Sequence, residues 1–195
     1  MNGTASQASA WRQLPNVLTG LRLLLVPPIL VLLVQGIYGW ALALAIVAGV
    51  SDALDGWLAR RFGWQTRIGG ILDPLADKLL LVGTYLTLGA LGHLPAWLVA
   101  LVVLRDVVIV AGAMVYHFRF EVVQPEPTQL SKVNTVAQLL LMMVVLVELA
   151  GAPVPSLIEA GLVRVVGALV VLTLAQYVWI WSQRASRIAR ERSGR

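Results

Sequence analysis

Apolar residues dominate this chain in six long stretches separated by polar joins. The stretches run from about Asn16 to Gln35, Trp40 to Arg60, Gly69 to Leu91, Pro95 to Phe118, Leu130 to Ala150 and Leu157 to Trp181. Each approaches the ~20 residues that an α-helix needs to cross the hydrocarbon core of a bilayer. Three joins are short and turn-like: Gly36 to Gly39, Gly92 to Pro95 and Gly151 to Pro155. A longer polar loop, Glu121 to Gln129, carries Pro125 and Pro127. The pattern predicts an all-α integral membrane protein with six transmembrane helices. A short interfacial helix is expected over residues 5–15, where Trp11 and Arg12 suit a headgroup region. Three parts follow: an N-terminal cytoplasmic or interfacial segment (1–15), a six-helix domain (16–182) and a basic cytoplasmic tail (183–195).

Loop charges orient the spans. The joins after stretches one, three and five contain no Lys or Arg. Those after two and four contain or border Arg60, Arg61, Arg67, Arg119 and Lys132. The positive-inside rule then makes both termini cytoplasmic, and six crossings return the chain to its starting side. Composition agrees: 58% of the 195 residues are hydrophobic and only 13% charged, roughly half the charge of a soluble domain. Most of the +5 formal charge comes from the tail, where Arg184, Arg187, Arg190, Arg192 and Arg195 stand with only Glu191 against them and suit an anionic membrane face. No nucleic-acid partner is expected. With no cysteine and only two histidines, thiolate chemistry and histidine metal sites are excluded.

The acids are unevenly placed. Of ten, four fall between Asp52 and Asp77. Asp52 and Asp55 are three apart near the cytoplasmic end of stretch two; Asp73 and Asp77 are four apart near the cytoplasmic start of stretch three. Those spacings put each pair on one helix face. The short loop between them predicts neighbouring helices and four converging carboxylates. Like charges gathered at low dielectric need cations. Either two hard divalent ions fill that role, or Arg60, Arg61, Arg67 and Lys78 do. Gly56 and Ala59 follow the first pair by one turn, and Gly69 precedes Asp73 by one turn. Such small residues leave room for a flat base or a pyrophosphate, or let helices pack closely.

Together these residues read D-x2-D-G-x2-A-R-x8-G-x3-D-x3-D, with Asp52, Asp55, Gly56, Ala59, Arg60, Gly69, Asp73 and Asp77 at its fixed positions. This resembles the signature of the CDP-alcohol phosphatidyltransferases, and the six-span plan extends the resemblance over most of the chain. The resemblance implies two Mg²⁺ or Mn²⁺ ions held by Asp52, Asp55, Asp73 and Asp77. It implies that Gly56, Ala59 and Gly69 make room for cytidine, that Arg60 helps hold the nucleotide, and that Asp77 is the general base on the acceptor hydroxyl. The implied donor is CDP-diacylglycerol among membrane lipids; the loop charges put the site at the cytoplasmic face, and short termini without a transit peptide lead us to expect a bacterial inner membrane. A homodimer is implied too, for which glycines on stretches three and six offer close-packing faces.

The acceptor turns on later residues. Arg105 and Lys132 are candidates for binding its phosphate, with Asn16, Thr19, Arg22, Ser131 and Asn134 as further substrate contacts. Arg105 also has an internal alternative, pairing with Asp106, and Lys132 has snorkelling to headgroups. The segments LRDVVIVAGAMVYHFRF and QLSKVNTVAQL are similar to those of the cardiolipin synthases of that family. The phosphatidylglycerophosphate synthases more often carry a second lysine where Asn134 stands. Glycerol 3-phosphate is nearly a dianion, phosphatidylglycerol a monoanion, so a neutral Asn134 suits phosphatidylglycerol. A transporter is the remote alternative, but its acids would be expected near the bilayer midplane.

Overall fold

A computed structural model describes residues 14–62, 69–120 and 128–193. They form six helices: α1 (Leu14–Val34), α2 (Tyr38–Phe62), α3 (Gly69–Ala90), α4 (Ala96–Phe120), α5 (Gln129–Leu149) and α6 (Ser156–Ser193). Each corresponds to one expected stretch, with ends displaced by a few residues. The exception is α6, whose helix continues to Ser193 through most of the expected basic tail. The interfacial helix expected over 5–15 lies outside the described residues, apart from its last two positions, which open α1.

Among the described residues four helical segments are long and apolar enough to cross a membrane: Val17–Val34, Tyr38–Leu58, Gln129–Leu149 and Ser156–Ile180. The other two helices, α3 and α4, carry the charged residues Asp73, Asp77 and Lys78 and Arg105, Asp106 and Arg119 respectively. Large apolar side chains such as Leu24, Trp40, Val107, Leu140 and Trp179 are more than half exposed. Apolar surface on this scale needs a covering phase, and a bilayer supplies one.

The chain divides into two compact units, Met1–His93 with Met142–Val154, and Leu94–Leu141 with Pro155–Arg195. In the first, α1 packs against both α2 and α3. Thr19, Arg22, Val26, Ile29 and Leu33 recur at helical spacing on its buried face. Gly83 lets α3 close on α1: a Cβ there would lie 3.2 Å from Leu30 Cδ1. The expected direct pairing of α2 with α3 is not the main contact. Among the described residues those two helices make no extended packing, because α1 lies against each. In the second unit α4 packs on α6. Thr128 caps α5, its hydroxyl accepting from the Ser131 amide at 3.2 Å and donating to Gln176 of α6 at 3.0 Å.

The three short joins repeat one device. Gly36, Gly92 and Gly151 have φ of 73°, 82° and 96°. Their amides bond back to Leu33, Gly89 and Glu148, and the next residues to Leu32, Leu88 and Val147. This paired pattern closes a helix with a left-handed residue and satisfies its last carbonyls. At the first two joins Tyr38 and His93 meet, hydroxyl to Nε2, at 3.0 Å. A Cβ at Gly92 would meet nothing within 4 Å, so Gly92→Ala isolates the cost of positive φ, about 1–2 kcal/mol. Thermal unfolding in detergent should shift down by about 2–4 °C per kcal/mol. Gly161→Ala, equally open but inside α6, should shift it up. No loss at Gly92, or a loss at Gly161, would contradict the capping argument.

Candidate functional site

Thr19 and Arg22 stand three residues apart on α1 and are both buried. Arg22 Nη1 lies 2.5 Å from Asp77 Oδ1. Its Nη2 lies 2.5 Å from Asp52 Oδ1 and 2.7 Å from Asp55 Oδ2. Thr19 donates its hydroxyl proton to Asp73 Oδ1. One face of α1 therefore gathers all four aspartates, two from α2 and two from α3. Asp55 is at the closed end (3% exposed), whereas Asp52 and Asp77 are about half exposed at the mouth.

This convergence was expected, but its cation was not. Nearness in sequence points to Arg60, Arg61, Arg67 and Lys78 as counterions, with Arg22 expected as a substrate contact. A signal for its actual place was present. Thr19 and Arg22 share a helical face at the same end of their span as the acids, and a guanidinium inside an apolar span must find an anion. Arg61 is exposed, Arg67 lies outside the described residues, and Asn16, Ala59, Arg60 and Gly69 take positions in the first turn of α1, the last turns of α2 and the start of α3. Gly56 is half-buried one turn beyond Asp52.

Oxygen-only donors suit a hard divalent ion, and Arg22 alone cannot balance four carboxylates. In this arrangement the guanidinium lies among them, and among the described residues no three acids or histidines are grouped as a metal site. The donor set fits such an ion; taking it up requires Arg22 to yield part of its hold.

The second unit holds another polar cluster. Arg105 on α4 (4% exposed) pairs with its neighbour Asp106 at 2.7 Å and donates to Ser131 Oγ on α5. The internal pairing considered for Arg105 is thus present, yet its buried Nε has no partner. Asn134, one turn beyond Ser131, is fully buried with both side-chain polar atoms unpartnered. Such atoms cost about 1–3 kcal/mol each unless something bonds them. Lys132 is exposed and does not join this cluster.

Residues 12–183 match the family model of the CDP-alcohol phosphatidyltransferases. The chain belongs to that family. A probable cardiolipin synthase (CMP-forming) of Drosophila melanogaster is 37% identical over 142 residues, 65% of this chain and 44% of that protein. The cardiolipin synthase (CMP-forming) of Homo sapiens is 32% identical over 158 residues, 71% of this chain and 52% of that protein. A probable phosphatidylglycerophosphate synthase of Mycobacterium tuberculosis is 38% identical over 101 residues, 48% of this chain and 47% of that protein. The chain spans about half the length of the curated relatives it matches. The family's name describes transfer of a phosphatidyl group from a CDP-alcohol.

Removing one partner from a buried ion pair strands the other, at a cost of about 3–5 kcal/mol. Arg22→Gln should therefore destabilise this phosphatidyltransferase strongly in detergent with chelator present, and Arg22→Lys less. Arg61→Gln, on an exposed side chain, should leave the unfolding midpoint unchanged. Equal effects of Arg22→Gln and Arg61→Gln would show that the Arg22 pairs carry no structural weight.

Proposed function

We propose that this chain is a six-span membrane enzyme that transfers the phosphatidyl group of CDP-diacylglycerol to phosphatidylglycerol, releasing CMP and forming cardiolipin. The observation that carries the reading is the gathering of Asp52, Asp55, Asp73 and Asp77 on one face of α1. Two Mg²⁺ or Mn²⁺ ions held by these four carboxylates would supply charge stabilisation at the pyrophosphate. Gly56, Ala59, Arg60 and Gly69 receive the cytidine nucleotide.

The half-exposed Asp77 accepts the proton of the acceptor hydroxyl as its oxygen bonds to the β-phosphorus, which bears diacylglycerol. The bond from that phosphorus to the bridging oxygen breaks, and CMP leaves with the electron pair. Arg105, with one Nη on Ser131 and Nε unpartnered, offers a cationic donor to the acceptor's phosphodiester, and Asn134 offers neutral ones. Lys132 attracts the same anion from the surface. Asn16, Thr19 and Arg22 line the nucleotide side. Both termini face the cytoplasm of a bacterial inner membrane, with 1–15 as an entry segment, 16–182 as the catalytic domain and 183–195 as a basic extension, and the enzyme works as a homodimer.

A second reading, transfer to glycerol 3-phosphate, is favoured by the relative named as a phosphatidylglycerophosphate synthase. The uncharged, buried Asn134 favours the less charged acceptor instead. The test is CMP release by purified protein with CDP-diacylglycerol and Mn²⁺, offered phosphatidylglycerol or glycerol 3-phosphate. Cardiolipin from phosphatidylglycerol alone is expected. Asp77→Asn should reduce the rate by about 10²–10⁴-fold, the usual worth of a general base. Product only from glycerol 3-phosphate would overturn the acceptor; release with neither, and no binding of CDP-diacylglycerol, would overturn the enzyme reading.

A further inference from the structure

The second unit carries a feature that the transfer chemistry does not use. Trp97 lies in the first turn of α4 with its ring against the backbone of Gly167 on α6; a Cβ on Gly167 would lie 2.9 Å from two of the ring atoms. Only glycine admits this approach without displacing the indole. The ring is still 51% exposed. Beside it runs an open groove of about 530 Å³ between α4 and α6.

The groove has one charged residue, Arg164, one turn of α6 before Gly167. Beyond it the walls are aliphatic, with Leu101 on α4 and Val171 and Leu172 on α6. Val171 and Leu172 are about half exposed. Arg164 itself is exposed, and among the described residues it makes no ion pair. It nevertheless sits inside a segment, Ser156–Ile180, long and apolar enough to cross a membrane.

A guanidinium in such a place must reach an anion or water. The aliphatic walls beside it are suited to hydrocarbon. One class of molecule meets both demands, a lipid with a phosphate at one end and acyl chains at the other. Arginine binds phosphate oxygens through paired donors, and tryptophan at a helix end is at home at headgroup level. A single uncompensated cation favours a net anionic headgroup over a zwitterion.

We propose that Arg164, Trp97 and the groove beside them bind an anionic phospholipid, its phosphodiester on Arg164 and an acyl chain along Leu101, Val171 and Leu172. This site shares no residue with the aspartate cluster or the Arg105 cluster and is independent of the acceptor assignment.

Trp97 supplies the probe. The protein is reconstituted in phosphatidylcholine vesicles doped with either chain-brominated phosphatidylglycerol or chain-brominated phosphatidylcholine. Trp97→Phe isolates this ring's quenching from that of the other tryptophans. Half-maximal quenching should need on the order of fivefold less brominated phosphatidylglycerol than brominated phosphatidylcholine. Arg164→Gln should erase that preference, and Arg164→Lys should retain most of it. Equal quenching by the two lipids in the unmodified protein, or a preference that survives Arg164→Gln, overturns the proposal.

Discussion

The first unit depends on one buried guanidinium. Asp52, Asp55 and Asp77 come from two helices and would repel one another at low dielectric. Arg22 holds all three within 2.7 Å, and Thr19 engages Asp73. Charge and packing are inseparable here. The face of α1 that presents Thr19 and Arg22 continues as Val26, Ile29 and Leu33, all buried. A buried ion pair is not by itself a source of net stability, because desolvation offsets its attraction. What it adds is specificity: α1 can satisfy Arg22 only in the one rotation that brings all four acids together.

The ends of the helices are settled by a different economy. The joins at Gly36, Gly92 and Gly151 contain no Lys or Arg and close their helices with the same pair of backbone bonds. Glycine allows a tight reversal without a long polar loop, which suits a chain whose helices need to re-enter an apolar phase at once. At the other end of α5, Thr128 both caps the helix and bonds Gln176. A side chain thus satisfies the amide of the buried Ser131, which the helix itself leaves without a partner.

Much of this was legible in the sequence, and the reasons differ by residue. The helices were legible because hydropathy is a local property, and α3 begins at Gly69 where expected. The four aspartates were legible because spacings of three and four fix a helix face. Their partner was not. Arg22 lies 30 to 55 residues from the acids in sequence, and no local period links them, whereas Arg60, Arg61, Arg67 and Lys78 stand close by. The placing of α1 between α2 and α3 escaped for the same reason: a short loop joins helix ends without dictating which faces meet. The continuation of α6 to Ser193 was missed because apolarity, the signal used, stops before helicity does.

Three arginines inside apolar stretches show what sequence position alone leaves open. Arg22 spends both terminal nitrogens on three carboxylates, and only its buried Nε lacks a partner. Arg105 has one carboxylate and one hydroxyl, with its Nε likewise unpartnered, so a single acid balances its charge. Arg164 is exposed and, among the described residues, meets no acid, so it must look outward. Residue type and span are the same in each case. The difference lies in how many anions the surrounding helices bring, and that is decided by tertiary packing. A guanidinium crowded by acids organises a site, one beside a single acid has its charge balanced in place, and an exposed one is left for the anion proposed above.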